Sequence, residues 1–268
     1  MIEAGLERVL RRAARYEPIP IHTVSVNGDR GANDQSPMRI LHDIIMVLFS
    51  VIVRYCCSIG TIFRFSVYGK SNLPDGPMVI CANHASHLDY IALVEAMGIP
   101  YSQTIAIAAT DFHFDHSLRA YVLGKMFNLA PLERAGSNPS PLARASSLLS
   151  CARDCRTFLD NGGRVVILYP EGSRTPDGQI KKFRSSVYPI LKIIGYPVVP
   201  TFVDGTFRVF AKNRLVPRLG PLTVRFGAPM QLDPVARNAG ANIPSEPQEG
   251  AGFVTSIEDA VRTLARAD

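Results

Sequence analysis

The sequence predicts an α/β layered domain with a largely parallel central sheet flanked by helices, preceded by N-terminal membrane-associating helices. Two observations predict the sheet. Short apolar runs recur along the chain, among them MVICA (78–82), TIAIAA (104–109), RVVILYP (164–170) and PVVPTFV (197–203). Segments of helical period separate them, and strands that alternate with helices are joined by crossovers that make neighbouring strands parallel. A third observation, the apolar stretch IIMVLFSVIV (44–53) ahead of the first strand, predicts the membrane-associating part.

Each element follows from its own pattern. Phe63, Phe65 and Val67 alternate with Arg64, Ser66 and Tyr68, the period of a half-buried strand. NLPDGP (72–77) is a turn. MVICA is apolar throughout, as a strand buried on both faces must be. A helix is expected from about Ser86 to Met97, then the strand TIAIAA and a helix over SLRAYVLGKMF (117–127). A long amphipathic helix from about Pro141 to Leu159 stops at Asn161, Gly162 and Gly163. The strand RVVILYP, the helix VYPILKII (187–194), the strands PVVPTFV and LTVRFG (222–227) and a closing helix over FVTSIEDAVRTLARA (253–267) complete the series.

Three regions emerge. Residues 1–37 are read as a basic amphipathic helix and a flexible linker: Ile2, Leu6, Val9, Leu10 and Ala13 form one stripe, with Arg8, Arg11, Arg12 and Arg15 mostly off it. Residues 1–16 lack the uninterrupted apolar core of a cleavable signal peptide. On an anionic bilayer each Arg near the surface contributes roughly 1 kcal/mol; packing on its own domain is the alternative. Residues 38–62 are read as an apolar membrane-associating helix. As a span from Ile44 to Phe63, apolar residues at about −0.3 to −0.6 kcal/mol each are offset by about +2.5 to +3.5 for the central Arg54. The near-zero sum favours a helix that dips into one leaflet over one that spans, with a buried core helix as the alternative. Residues 63–268 form the remaining α/β domain.

Composition narrows the function. A chain of 268 residues, 47% hydrophobic, can bury a large core and is not disordered throughout. The net charge of +6 favours an anionic partner: nucleic acid, an anionic lipid surface or a phosphorylated substrate. Nucleic acid ranks last, because there is no Trp and no basic stripe interleaved with aromatics. Five cysteines without a CxxC pair point to a reduced compartment facing the cytosol. The expected location is therefore membrane-associated, on the cytoplasmic face.

Two polar clusters carry the chemistry. NHASHLD (83–89) follows MVICA, and EGSR (171–174) follows VVILYP, so both stand at the carboxyl ends of predicted strands, where parallel sheets bind ligands. Five helical residues subtend about 140°, so His84 and Asp89 meet only if His84 lies in the turn before the helix and Asp89 in its first turns. So placed, Asp89 fixes the imidazole tautomer and leaves the other ring nitrogen free to take a proton. A metal site using His84, His87 and Asp89 with Asp111, His113, Asp115 and His116 is the rival, although its spacing matches no zinc signature. Chance is another, since a His followed by an Asp five residues later is common. In the second cluster Arg174 can grip a phosphate with two N–H groups and Gly172 lets the backbone approach it. Glu171 would orient Arg174 or bind a substrate hydroxyl. Lys181, Lys182 and Arg184 add positive charge downstream. Alone, EGSR reads as a polar surface turn.

Together these blocks resemble the glycerolphosphate and lysophosphatidic acid acyltransferases. NHASHLD resembles their Asn-His-x4-Asp block and EGSR their Glu-Gly-Thr/Ser-Arg block; GKMFNLAPLER (124–134), ending in Arg134, and YPVVPTFVDG (196–205), centred on Pro200, resemble two more in the same order. PLER departs from the commoner aromatic-isoleucine-x-arginine pattern, and FRSSVYPI from the usual stretch containing Lys-Gly. The resemblance implies that His84 deprotonates an acceptor hydroxyl that attacks an acyl thioester on coenzyme A or acyl carrier protein, with Asp89 orienting His84. It implies that Arg134, Glu171, Gly172, Ser173 and Arg174 hold a glycerol-phosphate or lysophospholipid acceptor, most simply lysophosphatidic acid giving phosphatidic acid. It implies no metal and no bound cofactor. Two other classes stay open: a hydrolase, metal-assisted through Asp111, His113 and His116, and a non-catalytic lipid-binding protein.

Overall fold

A computed structural model of the chain describes residues 65–109, 129–132, 141–211, 218, 220–232 and 247–267. Its strands are β1 (Phe65–Tyr68), β2 (Met78–Ala82), β3 (Thr104–Ala109), β4 (Leu129–Leu132), β5 (Val165–Leu168), β6 (Val198–Asp204) and β7 (Leu222–Phe226). The helices are α1 (Leu88–Met97), α2 (Pro141–Asp160), α3 (Tyr188–Ile194), α4 (Thr206–Val209) and α5 (Pro247–Arg266).

The strands form one sheet in the order β1-β7-β6-β2-β5-β3-β4. From β6 through β2, β5 and β3 to β4 every pairing is parallel, so the carboxyl ends of these strands share one edge. The all-apolar β2 and β5 lie side by side near the middle and are buried at every position. The alternating β1 is only half-buried and sits at the rim. The expectation of a sheet flanked by helices holds, and the sheet is mixed: β7 runs antiparallel to β6 and parallel to β1. Only the four-residue α4 lies between β6 and β7 among the described residues, and an antiparallel neighbour needs no crossover helix.

Two apolar layers face the sheet. On one side Val79, Cys81, Val166 and Leu168 pack with Cys151, Ala152, Cys155 and Leu159 of α2, Ile190, Leu191 and Ile194 of α3, and Val254, Ile257 and Val261 of α5. On the other, Met78, Ile80, Ala82, Val165 and Ile167 pack with Ile91, Leu93, Val94 and Met97 of α1. Strand period two assigns the faces, and truncating a fully buried residue such as Ile80 to Ala costs about 2–5 kcal/mol. Among the described cysteines, Cys81, Cys151 and Cys155 are buried free thiols.

The structure adds β4, which the sequence did not announce: LAPL carries a proline, admissible here because, among the described residues, β4 pairs only with β3 at the sheet's edge. α1 begins at Leu88 rather than Ser86. Among the described residues no helix is long and apolar enough to cross a membrane. The expectations for residues 1–37 and 38–62, the helix over 117–127, the cluster Asp111, His113, Asp115 and His116, and Arg134 fall outside the described residues.

Candidate active site

The site is built where β2 and β5 end. They are adjacent and parallel, with Ile80 opposite Ile167 and Cys81 opposite Leu168. The chain leaving β2 carries Asn83 and His84 before turning into α1; the chain leaving β5 carries Tyr169 and then EGSR. The two polar clusters meet at one edge as expected, but only the first is a strand-to-helix turn: EGSR lies in a long loop that reaches its next α-helix only at Tyr188.

Asn83 anchors the first turn. Its Nδ2 donates to the Val203 carbonyl at 2.9 Å and its Oδ1 accepts from the Val203 N–H at 2.8 Å. A side-chain amide thus takes the part of one more strand residue beyond the β2–β6 ladder, and both peptide groups of a buried β6 residue are satisfied.

His84 lies before the helix and Asp89 is its second residue. His84 Nδ1 is 3.0 Å from Asp89 Oδ2, and that oxygen also accepts from the N–H groups of Ala85 at 2.7 Å and Ser86 at 2.9 Å. Three donors converge on one carboxylate oxygen with no solvent exposure, at a helix N-terminus where negative charge is favoured. A carboxylate accepts only, so the tautomer that suits this contact carries the hydrogen on Nδ1 and keeps the lone pair on Nε2. Ser86 tightens the turn: its Oγ donates to the Phe210 carbonyl at 2.6 Å and accepts from the Leu88 N–H at 3.1 Å. His87 occupies the N-cap position of α1.

The EGSR loop clamps the same histidine through its peptide. Glu171 Oε1 accepts from the His84 N–H at 3.0 Å, and the Thr175 N–H donates to the His84 carbonyl at 2.9 Å. Glu171 is 3% exposed. Burial pushes its carboxyl up to about 7 and the charge of Asp89 adds to this, against the N–H groups of His84 and Lys181 and the Lys181 charge, which pull it down. Glu171, expected to contact the acceptor or Arg174, thus directs an oxygen at the histidine's backbone.

Gly172 turns the loop at φ +72°. A Cβ there would stand 2.9 Å from Arg184 Nε and 3.1 Å from its guanidinium carbon, so the Arg184 side chain lies across the glycine. Lys181 Nζ donates to the carbonyls of Ser173 and Arg174 at 2.5 and 3.2 Å, and to Ser173 Oγ at 2.7 Å. The ammonium that the sequence marked only as downstream charge therefore holds the loop's shape. α5 fixes the strap that delivers it: Glu258 Oε2 accepts from the Phe183 N–H at 2.8 Å, and Arg262 Nη2 donates to the Ile180 carbonyl at 3.0 Å.

The structure therefore brings His84, Asp89, Glu171, Gly172, Ser173 and Arg174 to one edge. β4 ends at that same edge with Leu132, two residues before Arg134. Sequence reasoning missed Asn83, Tyr169 and the role of Lys181. Asn83 stood inside the quoted block, and its position just past a buried strand was the available signal.

A sheet of this topology carrying an Asn-His-x4-Asp turn beside a Glu-Gly-Ser-Arg turn defines a class, and the model of the family described as Acyltransferase matches residues 64–204. The chain belongs to that family. Its relatives include the chloroplastic 1-acyl-sn-glycerol-3-phosphate acyltransferase BAT2 of Brassica napus, 29% identical over 154 residues that cover 57% of this chain and 40% of that protein. They also include the 1-acyl-sn-glycerol-3-phosphate acyltransferase of Cocos nucifera, 29% identical over 155 residues covering 58% and 46%. The alignments span less than half the length of these relatives. In fold the chain is similar to the crystal structure of the 1-acyl-sn-glycerophosphate (LPA) acyltransferase PlsC from Thermotoga maritima. The TM-score is 0.54 at 20% identity, over 98% of this chain and 89% of that one.

Proposed function

We propose that this chain moves a fatty acyl group from a thioester carrier, acyl-CoA or acyl carrier protein, to a hydroxyl of a glycerol-phosphate-type acceptor. Lysophosphatidic acid, giving phosphatidic acid, is the acceptor of choice, in keeping with the names of its relatives. The observation that carries the reading is the 3.0 Å contact between His84 Nδ1 and a fully buried Asp89 beside the EGSR loop.

His84 Nε2 takes the proton of the acceptor hydroxyl as its oxygen bonds to the thioester carbonyl carbon. Asp89 holds the ring and stabilises the imidazolium so formed, an arrangement that contributes about 10²–10⁴ in rate. The tetrahedral intermediate then expels the carrier thiolate, which recovers the proton from His84. Every proton and electron pair is accounted for by donor, acceptor and imidazole. Gly172, Ser173 and Arg174, with Arg134, hold the acceptor phosphate, and Glu171 belongs to the same constellation. Residues 1–37 and 38–62 attach the protein to the cytoplasmic face of a membrane, where acceptor and product reside.

The test is an acyl-transfer assay offering lysophosphatidic acid, glycerol 3-phosphate, dihydroxyacetone phosphate and a lyso-aminolipid with both carriers, run beside His84→Ala. Transfer to a phosphorylated acceptor, abolished in the variant, is expected. No transfer to any phosphorylated acceptor would overturn the roles given to Arg134 and Arg174; transfer undiminished in His84→Ala would overturn the base.

A further inference from the structure

Tyr169 plays no part in the reaction as just described, yet its ring lies against the imidazole of His84, with centroids 4.0 Å apart and planes 16° from parallel. The sheet dictates this contact. Val165 and Ile167 of β5 point to the α1 face, and period two carries Tyr169 to the same face; Ile80 and Ala82 of β2 do likewise, and the next position on that side is His84. Burial and the charges of Asp89 and Tyr90 drive the Tyr169 phenol well above its ordinary value, so the ring stays neutral.

We propose that Tyr169 is a positioning residue for acyl transfer: its ring is a platform that fixes the plane of the His84 imidazole and stabilises the imidazolium formed when His84 takes the acceptor's proton. This rests on His84 acting as the base. Neutral rings stacked in this way gain a modest contact, whereas a cation over a ring face is further attracted by the ring's quadrupole. The stacked geometry therefore strengthens as positive charge develops, and an interaction stronger in the transition state than in the ground state accelerates the step. Among the described residues the titratable groups facing His84 are Asp89 from α1, Tyr169 from the end of β5, and Glu171, which reaches only its peptide.

The experiment compares Tyr169→Phe, Tyr169→Leu and His84→Ala in the full chain, with folding checked by thermal denaturation and kcat/KM measured across pH. Leucine keeps the apolar contact and removes the ring face. It is expected to lower kcat/KM by roughly 2- to 30-fold and to move the acid limb of the profile to lower pH, with acceptor KM near the parent's. Phenylalanine keeps both the rate and the limb. A folded leucine variant with the parent's rate and limb overturns the platform while an inactive His84→Ala leaves the base intact; an active His84→Ala removes both. A phenylalanine variant as slow as expected for leucine also overturns the proposal, because the ring face is then not what acts, and this comparison decides even if the leucine variant does not fold.

Discussion

The Asn83 side-chain amide exchanges two hydrogen bonds with the peptide of Val203, at 2.9 and 2.8 Å, and so fastens the turn carrying His84 to the neighbouring strand β6. All four atoms are buried. Replacing Asn83 with Ala leaves a buried N–H and a buried carbonyl without partners, each costing about 1–3 kcal/mol. The expected loss is about 2–4 kcal/mol by urea denaturation, with a fall in kcat because His84 is the next residue. Asn83→Asp keeps the acceptor but sets a buried carboxylate against the Val203 carbonyl, and is expected to cost at least as much as Ala. A loss under about 0.5 kcal/mol would show that the turn is held by other means.

Asp89→Asn separates charge from shape. The carboxamide oxygen can still accept from Ala85 and Ser86, whose N–H groups now converge with His84 on Asp89 Oδ2. The charge that fixes the histidine tautomer is gone. The expected outcome is a loss of about 10²–10⁴ in kcat with acceptor KM little changed. Activity within about threefold of the parent would mean that Asp89 serves the turn and not the base.

Much of the fold was legible because the sheet's centre is written in unbroken apolar runs. MVICA and VVIL became β2 and β5, adjacent and buried at every position, and from their ends the two polar clusters could be brought together. The antiparallel β7 was not legible, since LTVRF alternates equally well in either direction. β4 was hidden by its proline, and its acceptance at an edge depends on strand order. Within the site, His84 and Asp89 were readable because the angle between them allowed only one arrangement. The clamp of Glu171 on the His84 N–H, the stack of Tyr169 and the grip of Lys181 on Ser173 join residues 87, 85 and 8 positions apart. The first two depend on strand neighbourhood, and the third on the path of a loop.

Gly172→Ala tests the loop. At φ +72° an alanine costs roughly 1–2 kcal/mol, and its Cβ would meet Arg184 Nε at 2.9 Å. Arg184 is exposed and can swing away, so the crowding is relieved at the expense of guanidinium placement. Stability is expected to fall by about 1–2 kcal/mol and acceptor KM to rise, with kcat less affected. Adding Arg184→Ala removes the crowding and leaves the backbone strain, so the double variant should recover no more than a small part of the stability. Full recovery would assign the effect to the clash alone.

Glu171 makes stability depend on pH. Its ordinary value is 4.5, and burial, the largest influence, lifts it to about 7 in the folded chain. Between these values the unfolded chain has released the proton that the folded chain retains. The native state then binds more protons than the unfolded state, so stability falls as pH rises from about 4.5 to about 7, by up to about 1.4 kcal/mol per unit, and levels off above. Glu171→Gln removes the titration. Relative to the parent, the variant is expected to gain little at about pH 4 and most at about pH 8, a difference of roughly 3 kcal/mol at the upper bound. Its amide oxygen can still accept the His84 N–H that Glu171 Oε1 accepts at 3.0 Å, so kcat should stay within about tenfold of the parent. Glu171→Leu cannot accept it, leaves the N–H groups of His84 and Lys181 without their acceptor, and is expected to lose both stability and kcat. Urea midpoints for the three chains at about pH 4, 6 and 8 decide the matter: parallel curves for parent and glutamine variant would show that Glu171 does not titrate in this window.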